Sequence, residues 1–305
     1  MAVSWSHALR QGPVLSAIAR VGVASVRGGR PKRPAQVGDV VEATLAPRDP
    51  ALVADYVAHV GGTVARGTLP PHFYPQWVFP LFSELLLRLP YDLRKVLNGG
   101  ARVVAHKPLP AGEPLHVRVR LEGIDDDGSR AIVHLVSVTG TASAPDAVEG
   151  HLWCFFPLKK REGKGAPKEP PVVPPDATEL ARWPLAATAG RDFALLTGDF
   201  NPIHWIPAAG RAAGFKGCIL HGYASMARAW EGLTAQVYAN DPGRLASLEV
   251  KFTRPVPLPG EVRLFLTSRP SPDAAGVLTM GTSPGAPANL TGTYRIHDPS
   301  PTLGA

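Results

Sequence analysis

Asp199 and His204 lie five positions apart in the run Thr197-Gly198-Asp199-Phe200-Asn201-Pro202-Ile203-His204, with Pro202 between them. Proline fixes its own φ and restricts the residue before it, so Asn201-Pro202 makes this loop stiff. A stiff turn can present both side chains to one water molecule, whereas a flexible loop would lose that orientation. A carboxylate beside an imidazole also keeps the pair in a useful protonation range near neutral pH, as general acid–base chemistry requires. The plainer reading is an Asx-turn, in which Asp199 and Asn201 only cap a tight loop. Thr197 and Asn201 fit either role, positioning a water and the pair or shaping the turn.

Further along stands Ile219-Leu220-His221-Gly222, and Gly222 opens a mostly apolar stretch over 223–233 that reads as a long buried helix. The first amides of a helix have no partner inside it and carry the positive end of its dipole. A glycine there lets a carbonyl oxygen come close to the backbone. His221 reads as a second acid/base histidine or, more simply, as a brace for the turn.

The elements that must position these groups occur twice. His106-Lys107-Pro108-Leu109-Pro110-Ala111-Gly112-Glu113 is echoed by Thr253-Arg254-Pro255-Val256-Pro257-Leu258-Pro259-Gly260-Glu261, each flanked by strand-like runs. Leu115, Val117, Val119 and Leu121 alternate with polar residues, the period of two of a half-buried strand. Upstream, 76–86 (QWVFPLFSELL) aligns with 223–233 (YASMARAWEGL) as a second apolar helix, with Pro80 as a kink or a first-turn residue. Asp55-Tyr56-Val57-Ala58 resembles Asp192-Phe193-Ala194-Leu195, but ten residues around 201–210 are present only in the second copy. Turn chemistry alone explains one Pro-Gly-Glu match, but not a helix and a turn that keep the same spacing twice. The unit is α+β: a long helix covered by antiparallel strands. The chain divides into a basic segment over 1–36, a first unit over 37–158, a Lys/Gly/Pro-rich linker over 159–176, a second unit over 177–296 and a tail over 297–305.

The net charge of +7 does not mark a nucleic-acid binder. Residues 1–38 carry Arg10, Arg20, Arg27, Arg30, Lys32 and Arg33 with no acid, and 159–169 hold five basic residues against two acidic ones. Without these two stretches the body is slightly acidic, with no basic face to track a phosphate backbone. The leading segment has the composition of a mitochondrial presequence; the simpler reading is a basic stretch that packs as a short helix or stays loose. No apolar run is long enough to span a membrane. Cys154 and Cys218 stand apart without ligand spacing, so neither a disulfide framework nor a metal site is expected, and a reducing cytoplasm fits.

The Asp199–His204 run, followed by Ala213-Gly214-Phe215 and Ile219-Leu220-His221-Gly222, closely resembles the motif of the MaoC-like, or (R)-specific hydratase, family. Its two-repeat members likewise keep the motif in the second half and lose it from the first. The resemblance implies a double hotdog, two copies of a long buried helix wrapped by antiparallel sheet. It implies an acyl-CoA or acyl-carrier-protein thioester as substrate, and reversible hydration of its trans-2-enoyl form to the (R)-3-hydroxyacyl form, with no cofactor. That chemistry needs water activated at Cβ, a proton at Cα and stabilisation of negative charge on the thioester oxygen. Asp199 and His204 carry over as the acid/base pair and the Gly222 amide as the oxyanion donor, with Thr197, Asn201 and His221 around them. One departure is Ile206, where many members carry an acid. The first unit keeps no acid/base loop and is expected to shape the acyl tunnel, with Trp77 and Phe82 among its aromatic residues. Lys107-Pro108 and Arg254-Pro255 fit strand-end turns better than phosphate contacts. Oligomeric state stays open, and a homodimer is admitted. The competing readings are a catalytically idle acyl-thioester-binding hotdog and, ranked lower, a thioesterase.

Overall fold

The computed structural model describes residues 33–158 and 169–297, preceded by residues 3–9, 11, 12, 14 and 16. The rest of the leading segment, most of the linker and nearly all of the tail expected from the sequence lie outside the described residues. In chain order the first half holds α1 (Ser6–Leu9), β1 (Val40–Leu45), α2 (Pro50–His59), β2 (Thr68–Leu69), α3 (Pro75–Leu86), β3 (Leu97–Ala105), β4 (Leu109–Pro110), β5 (Leu115–Asp126), β6 (Arg130–Gly140) and β7 (Val148–Pro157). The second half holds β8 (Thr178–Leu185), α4 (Ala189–Thr197), α5 (Pro207–Ala212), α6 (Gly222–Val237), β9 (Leu245–Phe252), β10 (Gly260–Ser268), β11 (Gly276–Gly281) and β12 (Leu290–Ile296).

Local chemistry explains the elements. Asp49 caps α2 by accepting the amides of Ala51 and Leu52, and Pro50 at its first position gives up an amide that had no partner anyway. Along β5, Leu115, Val117, Val119 and Leu121 are buried while His116, Arg118 and Arg120 face out, as the period of two requires. Pro75 opens α3, and Pro80 sits inside that helix rather than at its first turn. Every residue of α6 from Ala224 to Thr234 is buried, so the sheet and the other half enclose this helix.

Ten of the strands form one sheet in the order β1-β5-β6-β7-β3-β9-β12-β11-β10-β8, and β2 pairs with β4 in a separate ribbon. Numbered within its own half, from the outer edge inward, each half runs first, third, fourth, fifth, second once the ribbon strands are set aside. Two halves with one strand order, meeting at antiparallel inner strands, are a duplicated unit related by a pseudo-twofold axis. The seam is β3 against β9, from Gly100 opposite Lys251 to Val104 opposite Ser247. Gly100 is required there, because a Cβ would meet the Val250 carbonyl at 2.6 Å. The fold is thus an α+β double hotdog.

The halves differ where chemistry was expected. The α2–α3 connection spans only 60–74, whereas the α4–α6 connection spans 198–221 and includes α5. The helices also meet across the halves through a buried polar chain. His72 Nε2 bonds the carboxylate of Glu231 on α6 at 2.8 Å, and the His72 Nδ1 lies 3.0 Å from the Tyr56 hydroxyl. The described start of the chain packs onto α4: Gln11 donates to the carbonyls of Leu195 and Leu196, and the His7 ring meets Asp55 at 2.7 Å. Among the described residues, no helix is long and apolar enough to cross a membrane.

Candidate active site

The loop that carries the site leaves α4 through Gly198, whose φ of 81° is the left-handed conformation glycine takes without strain. Thr197 is buried; its hydroxyl donates to the Phe193 carbonyl at 2.8 Å and accepts the Asp199 amide at 3.4 Å. It is a helix-end residue and shapes the turn. Asn201 is exposed, its amide donating to Asp199 Oδ1 at 3.3 Å and its side-chain oxygen accepting from Ile203 N–H. The Asx-turn expected as the plain alternative is therefore present. One carboxylate oxygen of Asp199 serves this turn, and the other lies 3.9 Å from His221 Nε2.

Pro202 starts a single 3₁₀ turn, Pro202–His204, which turns the imidazole inward. His204 is 9% exposed, and its Nδ1 is 2.8 Å from the carbonyl oxygen of Ile219. A carbonyl only accepts, so Nδ1 carries the proton and Nε2 keeps a lone pair for the site. His221 is almost fully buried and caps α6, its Nε2–H donating to the Asp199 backbone carbonyl at 2.9 Å. The two rings stack with centroids 3.7 Å apart. His221 therefore braces the loop against the helix start. Asp199, His204 and His221 each bring one atom to within 4.8 Å of the others, a spacing that would also admit a metal ion. The His221 nitrogen that meets Asp199 is already engaged with its carbonyl, which favours a proton-handling reading.

Burial pushes the His204 imidazole below its ordinary pKa, while the Asp199 charge and the bond to the Ile219 carbonyl pull it back up. His221 is driven well below its ordinary value by burial first, then by the neighbouring His204. Both rings are thus biased toward the neutral form.

Gly222 is the first residue of α6, next to the bracing His221, and the helix ladder begins one turn in with Ala224 N–H bonding the His221 carbonyl. A Cβ at Gly222 would meet the Phe252 ring at 3.0 Å. The lack of a side chain here lets the Phe252 ring at the end of β9 pack against the helix start.

What holds the loop is not legible in the local sequence. With Ile206 in place of an acid, the loop is tied by Ile219 N–H bonding the Ile203 carbonyl and by the His204 ring bonding the Ile219 carbonyl. Gly190 in the first turn of α4 lies directly under the His204 carbonyl, where any side chain would collide. Val14 packs against Gly198 in the same way. These contacts join residues distant in the chain, and no local pattern announces them. Trp77 and Phe82 are core residues, 1% and 2% exposed, with the Trp77 indole N–H donating to Thr139 Oγ1. Neither is brought beside Asp199 and His204. Lys107 donates to the Pro145 carbonyl, and Arg254 is exposed at the turn after β9.

Comparison with known proteins agrees with this fold. Residues 167–269 match the family model described as MaoC like domain. The chain is 28% identical over 256 residues to 3-hydroxyacyl-thioester dehydratase X of Mycobacterium tuberculosis, covering 82% of this chain and 86% of that one. It is 27% identical over 203 residues to a probable enoyl-CoA hydratase 2 of Dictyostelium discoideum, covering 65% and 68%. The crystal structure of a MaoC-like dehydratase from Phytophthora capsici superposes with a TM-score of 0.69 over 85% of this chain and 95% of that one, at 20% identity, a likeness of fold. The chain is a double hotdog, and its residues 167–269 match the MaoC-like domain.

Proposed function

We propose that this protein adds water across trans-2-enoyl thioesters of coenzyme A or an acyl carrier protein, giving (R)-3-hydroxyacyl thioesters, and catalyses the reverse dehydration. One observation carries the reading. The bond from His204 Nδ1–H to the Ile219 carbonyl leaves Nε2 as a lone-pair acceptor in the same cluster as the Asp199 carboxylate.

In hydration, a water held by Asp199 and His204 attacks Cβ as His204 Nε2 takes one of its protons. The electron pair of the double bond moves to Cα and onto the thioester oxygen, where the Gly222 amide and the helix dipole stabilise the charge. The proton on Nε2 then passes to Cα. Water is consumed, the pair is regenerated, and both new bonds form on the face of the substrate that meets the loop. Asp199 orients the water and stabilises the imidazolium while it exists. Thr197, Asn201 and His221 hold the loop. The acyl tail runs from Gly222 toward the first half, where Tyr74 meets Tyr223 edge-on.

The names of the two relatives support a hydratase or dehydratase, and the complete acid/base loop argues against an idle binding protein. Adding purified protein to a short series of trans-2-enoyl-CoA thioesters should remove the enoyl absorbance. No loss across the series would overturn the assignment.

A further inference from the structure

The shorter connection of the first half leaves space. Between the α2–α3 connection, the turn after β3 and α6 lies a cavity of about 730 Å³. None of its lining residues comes from the 198–222 stretch that carries the active site. Trp230 and Glu231 of α6 form one wall, two turns beyond Gly222, or about 12 Å at ~1.5 Å per residue. By the pseudo-twofold, the 63–71 and 105–109 segments that line it correspond to the catalytic loop and the turn after β9 in the second half.

The cavity has three chemically distinct zones. Its inner walls are apolar, with Val57, Leu69, Trp230 and Leu245. Its polar residues include Arg66, Lys107, His106 and His297, of which the first three are exposed. Among the described residues the only acid lining it is Glu231, whose side chain is 9% exposed and held by the fully enclosed His72 ring at 2.8 Å. Gly62 backs this carboxylate, and any Cβ there would overlap it. A carboxylate kept inside an apolar chamber by a histidine and admitted by a glycine is a fixed acceptor for a hydrogen-bond donor. Cations at the rim favour an anion outside.

We propose that this cavity is a second, non-catalytic ligand site, occupying the place of the lost active site and taking an acyl pantetheine phosphate such as an acyl-CoA. Phosphate meets the Arg66/Lys107 rim, an amide N–H of the pantetheine arm donates to Glu231, and the acyl tail fills the apolar walls. The site is independent of turnover, so a failed hydration assay leaves it standing.

The test is calorimetric titration with decanoyl-CoA, which has no double bond to hydrate. Wild type should bind two equivalents per chain, and Arg66→Glu/Lys107→Glu, changed only at exposed positions, should bind one. Coenzyme A alone and decanoate alone are titrated in parallel. Two equivalents retained by the double variant, or a single wild-type equivalent that the double variant still binds, would overturn the proposal. Decanoate alone filling the rim-dependent site would also overturn it, since the occupant would then be a free carboxylate. The wild-type count requires no variant to fold.

Discussion

Gly190 offers the sharpest test of how the Asp199–His204 loop is held. A Cβ at this position would stand 1.9 Å from the His204 backbone oxygen. Non-bonded contacts to carbon settle near about 3.5 Å, so Gly190→Ala must push the His204 carbonyl away by more than about 1 Å. His204 is also fixed from the other side by its ring bond to Ile219 and by Ile219 N–H bonding Ile203, so the shift is passed to the imidazole. A misplacement of ~1 Å in a positioned catalytic group costs on the order of 100-fold in rate. Gly190→Ala should therefore lower kcat for trans-2-enoyl-CoA hydration by about two orders of magnitude, while circular dichroism shows the fold retained. Gly112→Ala is the control: a Cβ there meets nothing within 4 Å, and turnover should stay at the wild-type level. A folded Gly190→Ala protein with wild-type kcat would refute the argument that this contact sets the position of His204.

Other expectations follow from the same geometry. Asp199→Asn should lower turnover at least ~100-fold, a typical general acid–base contribution, with thermal stability nearly unchanged. Its residual activity reports the electrostatics: His204 acts neutral, so kcat/KM falls as pH drops through its pKa, which burial places below the ordinary imidazole value. The Asp199 charge raises that pKa, so Asp199→Asn should move the acid limb to lower pH, and a move to higher pH would contradict the coupling. Gly222→Ala, tight against Phe252, should lower kcat without moving that limb; an unchanged kcat would remove Gly222 from the oxyanion role. Replacing one partner of the buried His72–Glu231 hydrogen bond should cost roughly 1–3 kcal/mol in urea unfolding, because the other buried polar group is left without its partner. His72→Leu/Glu231→Leu together should recover most of it, and a double variant no more stable than either single one would count against the pairing.

Much of this was legible in the sequence because it is written in local patterns. The repeated basic-Pro and Gly-Glu turns flank β3/β5 and β9/β10, and the alternation at Leu115, Val117, Val119 and Leu121 is the buried face of β5. Asp199, His204, His221 and Gly222 were visible because the loop and the helix start each keep their residues close in sequence, and the fold only has to bring two short segments together. The bracing of His204 was not visible, since Gly190 and the Ile219 carbonyl reach it by tertiary packing. Trp77 and Phe82 show the opposite limit: aromatic residues on a buried helix read equally well as pocket lining or core, and the structure packs them in the core. The cavity beside Glu231 arises from an absent stretch of loop and a helix of the other half, which no local pattern encodes.

The central claim is that His204 and Asp199 move a proton between water and Cα on one face of an enoyl thioester. The most direct measurement follows the product of trans-2-enoyl-CoA hydration by chiral analysis, with released thiol monitored at the same time, for wild type and His204→Ala. The account predicts (R)-3-hydroxyacyl-CoA without thiol release for wild type, and at least ~100-fold slower formation for His204→Ala. Thiol release in place of hydration, an (S) product, or a His204→Ala protein that turns over at the wild-type rate would contradict it.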